Sequence, residues 1–104
     1  MLGELEQVVM LAVLRVGEEA YGVPIRGEIA RHGGRELTLA TVYKTLGRLE
    51  DKGLVESYEG EPTAQRGGRR KRFYHVTPAG KRELKQSVGA LRRMASGLDL
   101  GWES

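Results

Sequence analysis

The sequence predicts a mainly α domain with a small β-hairpin, an α+β fold. Three observations predict it. Apolar residues recur at helical spacing in four separate stretches. Two short, partly alternating runs, 54–59 and 71–77, bracket a loop at 60–70 that carries glycine and arginine. The chain has 104 residues, room for a single core but not two.

Residues 4–16, ELEQVVMLAVLRV, lack Gly and Pro and place apolar residues at 5, 8, 9, 12 and 16. Met10, Leu11, Val13 and Leu14 fill other faces, so the first helix must be covered on both sides. The run VVMLAVL would also suit a buried strand, but its length and its Ala, Leu and Met content favour helix. Residues 17–22 form a loop. Pro24 suits the first turn of a second helix, 24–32, where a missing N–H costs nothing. Ile25 and Ile29 share one face, and Gly33 and Gly34 end it.

The third helix, 39–52, has Thr38 as N-cap and Gly53 as its stop. Leu39, Val42, Leu46 and Leu49 make one stripe; Ala40, Thr41, Lys44, Gly47 and Arg48 lie opposite. In the strand that follows the charged loop, Phe73 and Tyr74 point to opposite faces, so one packs in the core and the other is exposed. Thr77 and Pro78 begin the last helix. Its Leu84, Val88, Leu91, Ala95 and Leu98 repeat at 4, 3, 4, 3, the seam of a partner helix, and Gly97 and Gly101 mark a frayed end.

Charge is distributed unevenly. Residues 66–85 hold eight Lys/Arg and one acid, net +7, while the remainder holds nine cations and thirteen acids, net −4, which together give the +3 of the chain. Five of the seven residues 66–72 are cationic: Arg66, Arg69, Arg70, Lys71 and Arg72. A local patch of one sign speaks to partners rather than to fold.

The order helix, helix, turn, helix, strand, charged hairpin, strand, helix is that of a winged helix-turn-helix. In that arrangement the third helix enters the major groove of double-stranded DNA. Its outward residues near the N-terminal end are Ala40, Thr41, Lys44 and Thr45, with Thr38 as the cap. A threonine hydroxyl can reach a phosphate or a base edge while its methyl touches thymine. Lys44 and Arg48 suit phosphates. The hairpin cations supply charge where counterions on nucleic acid are displaced, and Gly67 and Gly68 let the loop approach a polyanion. The competing readings are a solvated helix face and a cationic loop that only aids solubility. A winged-helix protein-interaction module, with the basic hairpin on an acidic partner, is the alternative function.

Other chemistries find no residues. There is no cysteine, hence no disulfide and no thiolate zinc site. His32 and His75, the two histidines, show no ligand spacing, and no nucleophile triad, P-loop or dinucleotide fingerprint is present. No enzyme, metal or cofactor is expected. The N-terminus is not read as a signal peptide, and the longest apolar run is too short to span a bilayer. A cytoplasmic protein with no membrane association is expected.

The stretches GELEQVVMLAVL (3–14), AYGVPIRGEI (20–29), ELTLATVYKTLGRLEDKGLV (36–55) and GGRRKRFYHVTPAGKREL (67–84) together resemble the PadR-like transcriptional regulators. The resemblance covers most of residues 3–84 and rests on the combination of pieces. It implies a homodimer, with the first and last helices packed across the interface. Leu5, Val9, Leu84, Val88, Leu91, Ala95 and Leu98 are the residues expected there. It also implies that Tyr43 lies at the DNA backbone, with Thr41 and Lys44 beside it and the wing arginines flanking the site. Some members bind phenolic acids or flat aromatic drugs. A small aromatic effector is accordingly the ligand class considered, at Met94 and Trp102. The expected division is 1–77 for the DNA-binding domain, its N-terminal helix also at the dimer interface, and 78–104 for the dimerisation helix and tail. A ligand-responsive repressor is the expected role.

Overall fold

The structure, a computed structural model, describes residues 2–60 and 71–101. Four helices and one hairpin are described: α1 (Glu4–Val16), α2 (Gly22–Gly33), α3 (Leu39–Asp51), β1 (Val55–Glu59), β2 (Arg72–Val76) and α4 (Pro78–Ala95). A short 3-10 turn, Gly17–Glu19, interrupts the expected loop after α1. The α+β layout is the one expected from the sequence.

The element ends follow from hydrogen-bond supply. α1 starts where the Gly3 N–H donates to Glu6 Oε1 at 2.9 Å. α2 starts two residues earlier than the expected 24, with the Ile25 N–H bonded to Tyr21 O. Pro24 therefore sits third in the helix. It is still within the first turn, whose N–H groups have no intrahelical partner, so proline costs no bond there. Gly34 closes α2 in the left-handed conformation, φ 67°. Thr38 caps α3 by accepting from the Thr41 N–H at 3.1 Å. Thr77 caps α4 by accepting from the Gly80 N–H at 3.0 Å.

β1 and β2 pair antiparallel, with Val55 opposite Val76, Ser57 opposite Tyr74 and Glu59 opposite Arg72. β1 is one residue shorter than expected, at its core end, and β2 is one residue shorter at each end. The Leu54 N–H goes instead to Leu49 O at the end of α3, and Leu54 O takes the Thr77 N–H at 3.0 Å. The Tyr74 N–H donates to Ala20 O at 2.9 Å, so the segment before α2 lies along the free edge of β2. Of the two aromatics left open by the sequence, Tyr74 is the buried one and Phe73 is half-buried.

One core gathers Val9, Met10 and Val13 of α1, Ile25 and Ile29 of α2, Val42, Leu46 and Leu49 of α3, Val55, Tyr74 and Val76 of the hairpin, and Leu84 of α4. Two of the residues expected at a subunit interface are thus interior residues of the single chain: Val9 is fully covered and Leu84 nearly so. The physical reason is that α1 is sandwiched by α2, α3 and the start of α4, so one of its faces is consumed within the chain. Leu5 and Val88 are partly buried against the same core. Beyond Val88 the helix leaves the body. The molecule extends 52 Å along one axis against 27 and 21 Å along the others. Its radius of gyration of 15.2 Å exceeds the ~13 Å of a compact chain of this length. Leu91, Met94 and Leu98 are exposed. Leu98 falls past the end of α4 at Ala95, and Gly97 with φ 81° breaks the helix between them, so the heptad repeat is not carried through by helix.

Among the described residues, no helix is long and apolar enough to cross a membrane, and no group of three or more His, Cys, Asp or Glu is placed to hold a metal ion.

Candidate nucleic-acid interface

α3 presents two unlike faces. Val42, Thr45, Leu46 and Leu49 are buried. Thr38, Ala40, Tyr43, Lys44 and Arg48 are exposed and Thr41 is half-buried. The N-terminal half of the helix therefore offers a continuous outward strip of hydroxyl, methyl, phenol and ammonium groups.

Thr45 does not belong to that strip. It is 1% exposed, and its hydroxyl donates to Thr41 O at 2.9 Å. A threonine can satisfy its own hydroxyl on the preceding turn, which lets it occupy a core position without an unpaired polar atom. The expectation that it reads DNA is corrected. Thr41, by contrast, accepts a hydrogen bond from the Thr38 hydroxyl at 3.0 Å, so its own hydroxyl proton remains available to an outside acceptor.

Tyr43 is fixed by its neighbours. Its hydroxyl lies against Gly22 at the start of α2, where a Cβ would fall 2.2 Å away, and its ring centroid is 6.4 Å from that of Tyr74. Lacking a side chain, Gly22 lets the phenol lie across the helix start. Tyr43 remains 41% exposed, so the fixed ring also faces outward.

The base of the hairpin is a cluster of rings and charges. Phe73 stacks on Tyr58 with centroids 5.6 Å apart and meets the edge of Tyr21 at 5.7 Å. The Lys71 ammonium lies 4.5 Å from the Tyr21 ring centroid and donates to its hydroxyl at 3.4 Å. Arg72 donates to Ser57 Oγ at 2.8 Å, is 3.7 Å from Glu59, and Ser57 in turn donates to Glu50 at 2.6 Å. Arg72 is therefore anchored across the strand pair while still about half exposed. Arg66, Arg69 and Arg70 lie outside the described residues, as does Trp102. Met94, expected beside Trp102 in a ligand site, is 77% exposed.

Charge pairing separates the cations. Arg15 and Arg31 are committed to Glu28, Arg35 to Glu4 and Lys52 to Glu6. Lys44 and Arg26 have no ion-pair partner among the described residues. Burial works to raise the Glu6 carboxyl. The hydrogen bonds from Lys52 and the Gly3 N–H, with the charges of Lys52 and Arg48, outweigh it and hold the group below its ordinary value. Sequence reasoning did not single out Arg26. It is exposed on α2 and borders a groove of about 520 Å³ with Thr38 and Leu39 at the start of α3. A signal for it exists in the sequence: Arg26 lies about 100° round the helix from the inward Ile25, at the edge of the apolar face, where a charged side chain turns to solvent.

His32 and His75, which show no ligand spacing in the sequence, each pair with a carboxylate. His32 bonds Glu28, and His75 meets Glu56 at 3.0 Å across the hairpin.

The PadR-like family of transcriptional regulators matches residues 10–86 of the chain. Transcriptional regulator Rv3488 of Mycobacterium tuberculosis is 38% identical over 77 residues, 74% of this chain and 67% of that protein. An uncharacterized protein X of Lysinibacillus sphaericus is 30% identical over 103 residues, 97% of this chain and 90% of that one. Among solved structures, a PadR family transcription regulator of Clostridium difficile R20291 superposes with a TM-score of 0.75 at 24% identity, covering 93% and 96% of the two chains. A PadR family regulator of Eggerthella lenta DSM 2243 gives 0.69 at 28% identity, covering 91% and 82%. On its helix order, its hairpin and these matches, the chain belongs to the PadR-like family of transcriptional regulators.

Proposed function

We propose that this chain is a homodimeric, sequence-specific DNA-binding repressor whose affinity for its operator responds to a small aromatic ligand. The observation that carries the reading is the outward strip of α3, Thr38, Ala40, Thr41, Tyr43 and Lys44, beside a hairpin of dense positive charge. α3 enters the major groove by its N-terminal half. Thr41 and Ala40 meet base edges and thymine methyls, while Tyr43, Lys44 and Arg48 meet phosphates. Lys71 and Arg72, with Arg66, Arg69 and Arg70 of the loop, meet the flanking backbone and add a salt-dependent, sequence-independent share of the affinity.

Dimerisation is supported by the apolar surface that α4 leaves uncovered. Leu91, Met94 and Leu98 are all more than half exposed, and Val88, Leu91 and Ala95 line an open groove. Residues 1–77 form the DNA-binding unit, and α4 beyond Val88 with the tail forms the subunit interface. Two copies then set two α3 helices about 34–36 Å apart, in successive major grooves of a near-palindromic site. Repression follows from occupancy of promoter DNA. A ligand at Met94 and Trp102 weakens binding only insofar as it prefers the geometry that does not fit the operator.

The test is selection of random duplexes by the purified chain at about physiological salt, followed by sequencing. Enrichment of a two-fold symmetric site is the expected result. Retention of duplexes without enrichment would overturn sequence-specific recognition and leave the basic hairpin to another polyanion.

A further inference from the structure

Among the described residues, more cations without an ion-pair partner lie on α4 than on α3. Lys81, Arg82, Lys85, Arg92 and Arg93 are all exposed, and none has an ion-pair partner among the described residues. The only acid on this helix is Glu83.

Helical geometry gathers these five onto one flank. At 3.6 residues per turn, Lys81, Arg92 and Lys85 fall within about 40° of one another. Arg82 and Arg93 follow roughly 60–80° further round. The apolar line of Leu84, Val88, Leu91 and Ala95 lies on the other side of Lys81, and Glu83 lies nearly opposite. The cationic strip runs from residue 81 to 93, about 18 Å at 1.5 Å per residue. Between its cations it carries Gly89 and no large apolar side chain. A helix that inserts into a lipid surface needs apolar residues within the cationic face's reach, and a protein interface needs anchors that fill pockets. The apolar line beside it is taken by the core at Leu84 and by the proposed subunit interface at Val88, Leu91 and Ala95, which leaves the charged strip to a regular row of phosphates.

The strip starts at the end of α3 remote from the operator. Thr77 bonds Leu54 O and Gly53 O, which ties the start of α4 to the C-terminal end of α3. The N-terminal half of α3, which faces the operator, is the far end of a 13-residue helix.

We infer that the cationic flank of α4 is a second, sequence-independent site for the phosphate backbone, so that one dimer holds two DNA segments together. The inference rests on the proposed DNA-binding function and adds bridging to it.

The experiment tethers an operator duplex to beads and measures capture of a second, labelled duplex of unrelated sequence by the full chain. The wild type captures it, and capture falls as salt is raised. The variant Lys81→Gln/Arg82→Gln/Lys85→Gln, whose three positions precede the proposed subunit interface, binds a single operator duplex as the wild type does, but captures the second at least about tenfold less. Its log–log salt slope for capture is flatter by up to about 2.7, at 0.9 for each phosphate no longer neutralised. Lys81→Arg/Lys85→Arg, which keeps the charge, retains capture. Equal capture by the Gln variant overturns the inference. So does a wild type that binds one duplex and never a second, a result that leaves the proposed function standing. Binding of phosphatidylglycerol vesicles in place of the second duplex, lost in the Gln variant, would also overturn it by assigning the strip to a membrane.

Discussion

Gly80 sits where no side chain fits. A Cβ at that position would lie 2.1 Å from Leu54 O and 2.8 Å from Val76 Cγ1, so α4 can approach the end of α3 only through glycine. Gly80→Ala forces backbone to move and is expected to cost about 1–3 kcal/mol, seen as a lower denaturant midpoint with an unchanged slope. A midpoint equal to the wild type would mean that the two segments are not held this close. Glu28 is the second instructive residue. It is nearly buried between α1 and α2 and accepts from Arg15 at 2.7 Å, from Arg31 at 3.2 Å and from His32. The Arg15 bond leads the causes that hold its carboxyl at about 2, against an ordinary 4.5. A carboxyl depressed in the folded state stabilises fully above its unfolded value and loses that contribution as pH falls through the folded one. Glu28→Gln is therefore expected to be less stable than the wild type at pH 7, with the gap closing between about 4.5 and 2. A gap that stays constant across that window would show that the loss is one of packing, not charge.

At the scale of the element, α3 shows how one amphipathic helix divides its work. Val42, Leu46 and Leu49 anchor it, and Thr45 joins them by returning its hydroxyl to Thr41 O. Lys44 and Arg48, one turn apart, remain on the outside. Lys44→Ala with Arg48→Ala should weaken binding to all duplexes alike and reduce the salt slope by up to about 1.8, at 0.9 per phosphate. A changed sequence preference at constant slope would instead assign these residues to base reading. Much of α3 is legible in the sequence, because the stripe of Leu39, Val42, Leu46 and Leu49 and the cap at Thr38 are local signals. Thr45 is not, because the period alone puts it at the margin between faces, and a threonine is compatible with both.

At the scale of the molecule, α4 is the element whose role depends on what lies outside the chain. Its first half is core, through Leu84, and its second half projects with Leu91 62% exposed. Leu91→Glu adds a charge to the proposed subunit interface without touching the core. It should give a folded monomer by light scattering, with operator affinity reduced because two half-sites are no longer linked. A variant that remains a stable dimer would place the interface elsewhere. Val9 and Leu84 are poor probes of that interface, since substituting either one opens a cavity in the single chain first.

Local chemistry determined most of the fold here. Helix periods, two threonine caps, terminal glycines and the alternation around a charged loop act over a few residues, so they can be read in order along the chain. They sufficed for the four helices, the hairpin, the winged arrangement and the outward strip of α3 apart from Thr45. The tertiary structure decided what depends on elements meeting. It put Tyr74 rather than Phe73 inside, drew Val9 and Leu84 into the chain's own core, and set Tyr43 against Gly22. It also joined Glu28 to Arg15 across thirteen residues and separated the cations held by carboxylates from those left to face solvent. Burial and charge pairing are properties of two surfaces that meet, and no pattern within one segment specifies which surface it will find.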